Sequence, residues 1–349
     1  MKIFTLLIAV MTITSCSQLF MQPIDGCKSD DELTVYCGFR NPEDLALTPD
    51  EKFLIVSEFG GMSPLVEMSP GKLSLFDLQN KMKLEVSIIF GDNEWGSRNC
   101  TRDKSIPFGP HGIDLITRKD GRHQLAVVSH YPTESIEMFE LQYDENWVLE
   151  WKGCINIENQ YYFNDVSLDD DGNFYATHMF DSNYSMINLA WNVFAKSNTG
   201  FVVKWIKDNK FVKLEYTAGS FPNGIALDQE NNNLVVNYNF GDKTILFDMD
   251  NQNQIGIFEY NSPDNVIIKD EFVWVTNHDH FAISALRCSK KTNCTLPFSV
   301  NQISLKNLSL INSYKFKSNN MGTGTVALPH QGSLWIGSYR SDRIAEGRL

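Results

Sequence analysis

The sequence predicts an all-β fold: a six-bladed β-propeller with four-stranded blades around a central tunnel. Three observations carry this expectation. Long helical periodicity is scarce in the 349 residues, while short runs rich in Val, Ile, Phe, Tyr and Trp recur between Gly, Asn, Asp and Pro. A two-strand unit repeats six times. The same small or polar residues open each copy in one register. An apolar fraction of 42% excludes disorder and is enough for a large core.

The copies run in order along the chain. Glu43-Asp44-Leu45-Ala46-Leu47 precedes Phe53-Leu54-Ile55-Val56, and His111-Gly112-Ile113-Asp114-Leu115 precedes Leu125-Ala126-Val127-Val128. Asn164-Asp165-Val166-Ser167-Leu168 precedes Phe174-Tyr175-Ala176, and Asn223-Gly224-Ile225-Ala226-Leu227 precedes Leu234-Val235-Val236. Asp264-Asn265-Val266-Ile267-Ile268 precedes Phe272-Val273-Trp274-Val275, and Gly324-Thr325-Val326-Ala327-Leu328 precedes Leu334-Trp335-Ile336. Leu45, Ile113, Val166, Ile225, Val266 and Val326 share a register, with steps of 68, 53, 59, 41 and 60 residues. Such steps fit propeller blades with variable loops. A two-sheet sandwich is the alternative architecture.

Equivalent residues of the innermost strands form a ring around a propeller's channel. The first position reads Glu43, His111, Asn164, Asn223, Asp264, Gly324, and the second Asp44, Gly112, Asp165, Gly224, Asn265, Thr325. Calcium takes six to eight oxygen ligands from carboxylates, amides, carbonyls and water. Glu43, Asn164, Asn223, Asp264 and Asn265 offer at least five, and their two carboxylates neutralise one Ca²⁺. Asn and Asp also favour turns at strand ends; it is their common register that favours metal. A net charge of −13 suits cation binding and does not suit nucleic acid or an anionic membrane surface.

The N-terminus reads as a targeting segment. Lys2 precedes an apolar run, Ile3 to Ile13, too short to span a bilayer. It ends in Ile13-Thr14-Ser15-Cys16, which resembles a bacterial lipobox, so residues 1–15 are expected to be a signal peptide and Cys16 to carry lipid. A plain secretory signal is the alternative. Residues 16–36 then form a tether and 37–349 the propeller. The expected location is exported, as a bacterial lipoprotein whose only membrane contact is the lipid. Six further cysteines, Cys27, Cys37, Cys100, Cys154, Cys288 and Cys294, suggest disulfides in that compartment. Cys288 and Cys294 bracket a short polar loop and are the most plausible local pair.

These residues resemble the paraoxonase/arylesterase family, from about Cys37 to Leu349. The resemblance rests on Pro42-Glu43-Asp44-Leu45, Pro110-His111-Gly112-Ile113, Val127-Val128-Ser129-His130, Asn164-Asp165, Leu189-Ala190-Trp191, Asn223-Gly224-Ile225 and Asp264-Asn265, in that order. It implies a six-bladed propeller with two calcium ions in its tunnel. The catalytic ion would be held by Glu43, Asn164, Asn223, Asp264 and Asn265. The structural ion would be held by Asp44, Asp165 and the carbonyl of Ile113. His111 and His130 match the family's histidine pair, and His278 a histidine near the site. The implied activity is hydrolysis of lactones or aryl esters, with the cation polarising the carbonyl and His111 activating water with help from His130. Asp264 is the other candidate base.

Two features depart from the family. The C-terminus, Arg343 to Leu349, lacks the cysteine that would close the propeller by a disulfide, so Cys27 and Cys37 need other partners. The stretch Phe59-Gly60-Gly61-Met62-Ser63-Pro64 lacks the tyrosine of the family's mobile loop, which weakens aryl-ester and organophosphate specificity more than lactone hydrolysis. Asp169-Asp170-Asp171-Gly172-Asn173 has its glycine at position four and no glutamate at twelve, so it reads as a turn rather than a calcium loop. There is no Gly-x-Ser-x-Gly elbow and hence no serine nucleophile. The rival functions are a gluconolactonase-like or strictosidine-synthase-like enzyme and a non-catalytic calcium-binding surface propeller.

Overall fold

The computed structural model describes residues 24, 26–61, 69–157, 160–207, 211–280, 284, 295–317 and 320–349. Strands are numbered in chain order, and six sheets build the body. The first blade is β2 (Pro42–Leu47), β3 (Phe53–Glu58), β4 (Lys72–Asp77) and β5 (Met82–Glu85). The second is β7 (Pro110–Thr117), β8 (His123–Ser129), β9 (Ser135–Asp144) and β10 (Asn146–Asn156), with β6 (Ser87–Phe90) added in parallel outside β10. The third is β11 (Phe163–Leu168), β12 (Phe174–His178), β13 (Gly200–Trp205) and β14 (Val212–Gly219). The fourth is β15 (Pro222–Asp228), β16 (Asn233–Tyr238), β17 (Lys243–Asp248) and β18 (Asn253–Glu259), and the fifth is β19 (Pro263–Lys269), β20 (Phe272–His278), β21 (Phe298–Ser304) and β22 (Leu310–Phe316).

The sixth blade draws on both ends of the chain. It joins β23 (Ala327–His330), β24 (Ser333–Ile336) and β25 (Arg343–Arg348) to β1 (Leu33–Cys37). The inner strands touch in a closed circuit, β2 to β7, β11, β15, β19, β23 and back to β2. The fold is therefore the expected six-bladed propeller rather than a sandwich. Closure without a C-terminal cysteine comes from the antiparallel pairing of β1 with β25, from Leu33↔Gly347 to Cys37↔Arg343. The amides of Gly38 and Phe39 add bonds to Asp342 O. The expected tether, 16–36, thus contributes most of a blade strand.

Each blade is wedged between two neighbours, so both faces of its middle strands are buried. On β3, Leu54 and Val56 pack with Trp335 and Ile344 of blade six, while Ile55 packs with Leu125 and Phe139 of blade two. On β8, Leu125 and Val127 face blade one, and Ala126 and Val128 face Phe163 and Phe174 of blade three. This is why these strands read as unbroken apolar runs rather than alternating ones.

The paired cysteines are Cys27–Cys37 and Cys100–Cys154. Cys27 and Cys37 partner each other, pinning the segment before β1. Cys100–Cys154 fixes the long connection into β7; closing a loop of 54 residues is worth about 4 kcal/mol of unfolded-chain entropy. Both fit an oxidising compartment. Cys16 and the expected Cys288–Cys294 pair lie outside the described residues. No helix among the described residues is long and apolar enough to cross a membrane.

The two ends of the propeller differ. Where the inner strands finish, the turns are short, such as 48–52, 169–173 and 229–232. Where they begin, some connections are long, among them 91–109 and the one with helix α1 (Met186–Ala195), capped by Ser185 Oγ on the Asn188 amide. Leu189 of α1 is buried, while Ile187, Trp191 and Phe194 are exposed.

Candidate active site

The residues at the loop-rich end of the inner strands owe their placement to a repeated bulge. Pro42 pairs with Glu58 and Asp44 with Ser57, leaving Glu43 as an extra residue. The same break falls between Pro110 and Ile113, Phe163 and Val166, Pro222 and Ile225, and Pro263 and Val266. Two residues oppose one at the same dipeptide in five blades, which kinks the strand and re-aims its side chains.

Small polar side chains from the preceding blade then hold the bulged backbone. Ser57 Oγ donates to His111 O at 2.5 Å, Thr177 Oγ1 to Asn223 O at 2.5 Å and Asn237 Nδ2 to Asp264 O at 2.6 Å. Thr325 Oγ1 donates to Glu43 O at 2.5 Å. Carboxylates add a second layer of inter-blade bonds. Asp44 Oδ2 accepts from Ile113 N at 2.7 Å, Asp114 Oδ2 from Leu168 N at 2.7 Å and Asp165 Oδ2 from Ile225 N at 2.9 Å. Glycine alternates with these acids for space: a Cβ on Gly112 would sit 2.5 Å from Asp165 Oδ1, and one on Gly224 2.5 Å from Asp264 O.

All the first-position side chains from Glu43 to Asp264 are buried, as are Asp44, Asp165 and Asn265. Asn265 Nδ2 donates to Glu43 Oε1 at 3.0 Å. Four oxygens nearby have no hydrogen-bond partner: Glu43 Oε2, Asn164 Oδ1, Asn223 Oδ1 and Asn265 Oδ1. Burying such atoms unpaired costs roughly 1–3 kcal/mol each. An oxygen-seeking cation would offset that cost, so the donor set fits calcium. At the deeper pair each oxygen already has an amide partner: Asp44 takes Leu45 N and Ile113 N, and Asp165 takes Val166 N and Ile225 N. What favours a cation there is charge.

Burial pushes the Glu43 carboxyl well above its usual range, with Asp44, Asp264 and Asp165 adding repulsion. Burial likewise raises Asp44 to about 7, against the pull of the Ile113 and Leu45 amides. Asp165 is raised well up by burial and by Asp44, and Asp114 to about 6 by burial.

A second array adjoins the ring. His111 Nδ1 lies 2.9 Å from His130 Nε2, and His111 Nε2 lies 3.7 Å from Glu43 Oε1. His130 Nδ1 in turn meets both oxygens of Glu134, at 2.7 and 2.8 Å. Phe59 stacks on His111 at 4.4 Å and Tyr162 on His130 at 4.5 Å. The loop without the family's tyrosine therefore still supplies an aromatic to the site. Burial, then His130, holds His111 well below the usual imidazole range, in its neutral form. On the other flank His278 Nε2 lies 2.9 Å from Asp264 Oδ2 but out of hydrogen-bond alignment, with His280 stacked on it and Tyr339 tilted against it.

Glu134, Tyr162 and the blade-bridging Asp114 were not singled out from sequence. Glu134 stands in a connecting loop, and its reach back to His130 depends on the path of residues 131–134, which no residue spacing encodes. Asp169 and its neighbours form the expected turn between β11 and β12, tied by Asn173 and by Lys119, whose Nζ lies 2.9 Å from both Asp170 and Asp171. Among the described residues these three aspartates also form a carboxylate cluster compact enough for a metal, with Lys119 paired to Asp170 and Asp171.

A cavity of about 300 Å³ starts at Asp44, Asp165 and Asn265 and continues past Leu47, Leu168 and Leu227, away from the histidines. It is the lower channel rather than the mouth at the histidine end. The connections β3–β4 and β20–β21, at that mouth, include residues outside those described.

Fold and site together define a six-bladed propeller with a buried ring of oxygen donors and an adjoining histidine pair. The chain belongs to the arylesterase family, whose profile, Arylesterase, matches residues 39–339. That membership places it among esterase-type propeller hydrolases. No curated protein matches the chain. Among solved structures it is similar to a luciferin-regenerating enzyme, at 12% identity and a TM-score of 0.53 over 91% of this chain and 95% of that one. It is also similar to a gluconolactonase from Xanthomonas campestris, at 11% identity and a TM-score of 0.52 over 95% and 98%. At such identities these likenesses speak for the fold.

Proposed function

We propose that the protein is a calcium-dependent hydrolase of lactones or simple esters, exported and tethered by lipid at Cys16. The observation that carries this reading is the set of partnerless buried oxygens on Glu43, Asn164, Asn223 and Asn265 beside the hydrogen-bonded pair His111 and His130. Glu43, Asn164, Asn223, Asp264 and Asn265 would hold the catalytic ion. Asp44, Asp165 and the Ile113 carbonyl would hold the second. Held by the first-position residues of the inner strands, calcium would supply a Lewis acid that polarises the substrate carbonyl.

The chain's own residues do the proton work. His111 is the base: buried and neutral, it takes a proton from the attacking water at Nε2, the nitrogen that faces the ring through Glu43. His130 holds His111 through Nδ1, and Phe59 and Tyr162 fix both rings by stacking and exclude water. The same proton returns to the departing alkoxide. Asp264 is the weaker candidate base, since it belongs to the ligand set.

Purified protein assayed against lactones, aryl acetates and phosphotriesters, with and without chelator, tests the reading. Lactone or ester turnover lost with chelator and restored by calcium is expected. Calcium binding without turnover of any substrate would instead leave a non-catalytic binding propeller.

A further inference from the structure

We propose that Glu134 is a positioning residue that sets the tautomers of the histidine pair and leaves His111 Nε2 as the proton acceptor; this deepens, and rests on, the hydrolase reading above.

The argument is one of proton counting. A neutral imidazole carries one N–H, and an ionised carboxylate only accepts. His130 Nδ1 faces both oxygens of Glu134, at 2.7 and 2.8 Å, so the N–H of His130 is on Nδ1. Its Nε2 then bears a lone pair. Across 2.9 Å from that lone pair stands His111 Nδ1, which must carry the N–H of its own ring. His111 Nε2 is left bare, on the side of Glu43. With the carboxylate ionised and one N–H on each ring, this arrangement gives each contact one donor and one acceptor.

The surroundings keep this chain in place. His130 N donates to Gly109 O at 2.9 Å, and Ile157 N donates to Glu134 O at 3.2 Å, holding both ends of the loop that carries Glu134. Tyr162 stacks on the His130 face and Phe59 meets the same ring edge-on, so His130 cannot swing away. When His111 Nε2 takes a proton from water, the new positive charge is shared through His111 Nδ1–H and His130, with the anionic Glu134 at the far end. The hydroxide goes to the carbonyl carbon, and the proton later leaves with the alkoxide. A carboxylate behind a histidine that supports the imidazolium is a recurrent catalytic device. Glu134 contacts His130 and not His111 or the oxygen donors around Glu43, so it acts only through His130.

The experiment pairs ¹⁵N-histidine NMR with kinetics on Glu134→Gln and Glu134→Asp in the full chain. In the unmodified protein His130 is expected to show a protonated Nδ1 and a bare Nε2, and His111 the same pattern. Glu134→Gln, whose amide can donate as well as accept, should mix the tautomers and lower kcat about 100-fold, with KM moving less than about threefold. Glu134→Asp should recover part of kcat. Both variants are checked by melting. A bare His130 Nδ1 in the unmodified protein, or unmixed tautomers and full kcat in a folded Glu134→Gln, overturns the proposal while leaving hydrolysis intact. If the unmodified protein turns over no lactone or ester, the hydrolase reading fails, and the spectra alone still decide the role of Glu134.

Discussion

Asp44 Oδ2 accepts the main-chain N–H of Ile113 at 2.7 Å, one blade away and 69 residues along the chain. Its neighbour Glu43 makes no such bond: one oxygen takes Asn265 Nδ2 and the other has no partner. Two adjacent carboxylates thus do different work, one joining blades and the other presenting a free oxygen.

That difference separates two variants. Glu43→Gln retains an oxygen for Asn265 but loses the charge, so hydrolysis should vanish while the melting temperature moves by no more than about 2 °C. Asp44→Asn keeps only one acceptor for two amide N–H donors and weakens the deeper ion site. The unpaired donor alone costs roughly 1–3 kcal/mol, and loss of the metal adds its folding free energy. A drop of roughly 5 °C or more is expected, with little response to added calcium. Calorimetric melts with and without calcium check both.

The buried carboxyls also set a pH dependence. In the metal-free protein Asp44 stays protonated up to about 7, and Glu43 and Asp165 are raised further. A raised folded pKa means the folded state holds more protons than the unfolded one, so stability falls as pH climbs through that window. Below about 6.5 the buried histidines oppose this, since His111 and His178 are depressed and must stay neutral. Chelated protein should therefore melt lower at pH 8 than at pH 6.5, by about 1.4 kcal/mol per pH unit for each proton retained. Saturating calcium should flatten that slope, as thermal melts across the range would record.

Gly112 offers a steric test of the ring. A methyl there would sit 2.5 Å from Asp165 Oδ1 and 2.7 Å from Asn164 O. Gly112→Ala should cost roughly 1–3 kcal/mol by overpacking and weaken calcium affinity, because it displaces both a shallow and a deep candidate ligand. Titration calorimetry and denaturant melts measure the two effects.

The covalent state is readable in one mass spectrum. A non-reduced digest of native protein should give Cys27–Cys37, Cys100–Cys154 and Cys288–Cys294, with a diacylated Cys16 as the mature N-terminus. An unmodified N-terminus elsewhere would leave only a cleaved secretory signal.

The blade register was legible because the bulged dipeptide recurs in chemistry as well as in spacing: Glu43-Asp44, Asn164-Asp165 and Asp264-Asn265 all sit where two residues oppose one. The apolar runs behind them, such as Leu54-Ile55-Val56, were legible because both strand faces are buried. Four things were not. The partner of Cys37 depends on how residues 27–37 fold back, and six cysteines allow many pairings. The addition of β6 to blade two is a parallel edge contact without a turn signal. Glu134 reaches His130 by the course of a loop, and the clamps from Ser57, Thr177 and Asn237 look in sequence like ordinary strand-end polar residues.

The most direct test of the central claim, a calcium ion held by the inner ring beside His111, is an anomalous difference map from crystals grown with calcium. A peak bounded by oxygens of Glu43, Asn164, Asn223, Asp264 and Asn265 is the expected result, with a second between Asp44 and Asp165. A map with no peak within the ring at saturating calcium would contradict the account, and the polar ring would then be only the chemistry by which the inner strands begin.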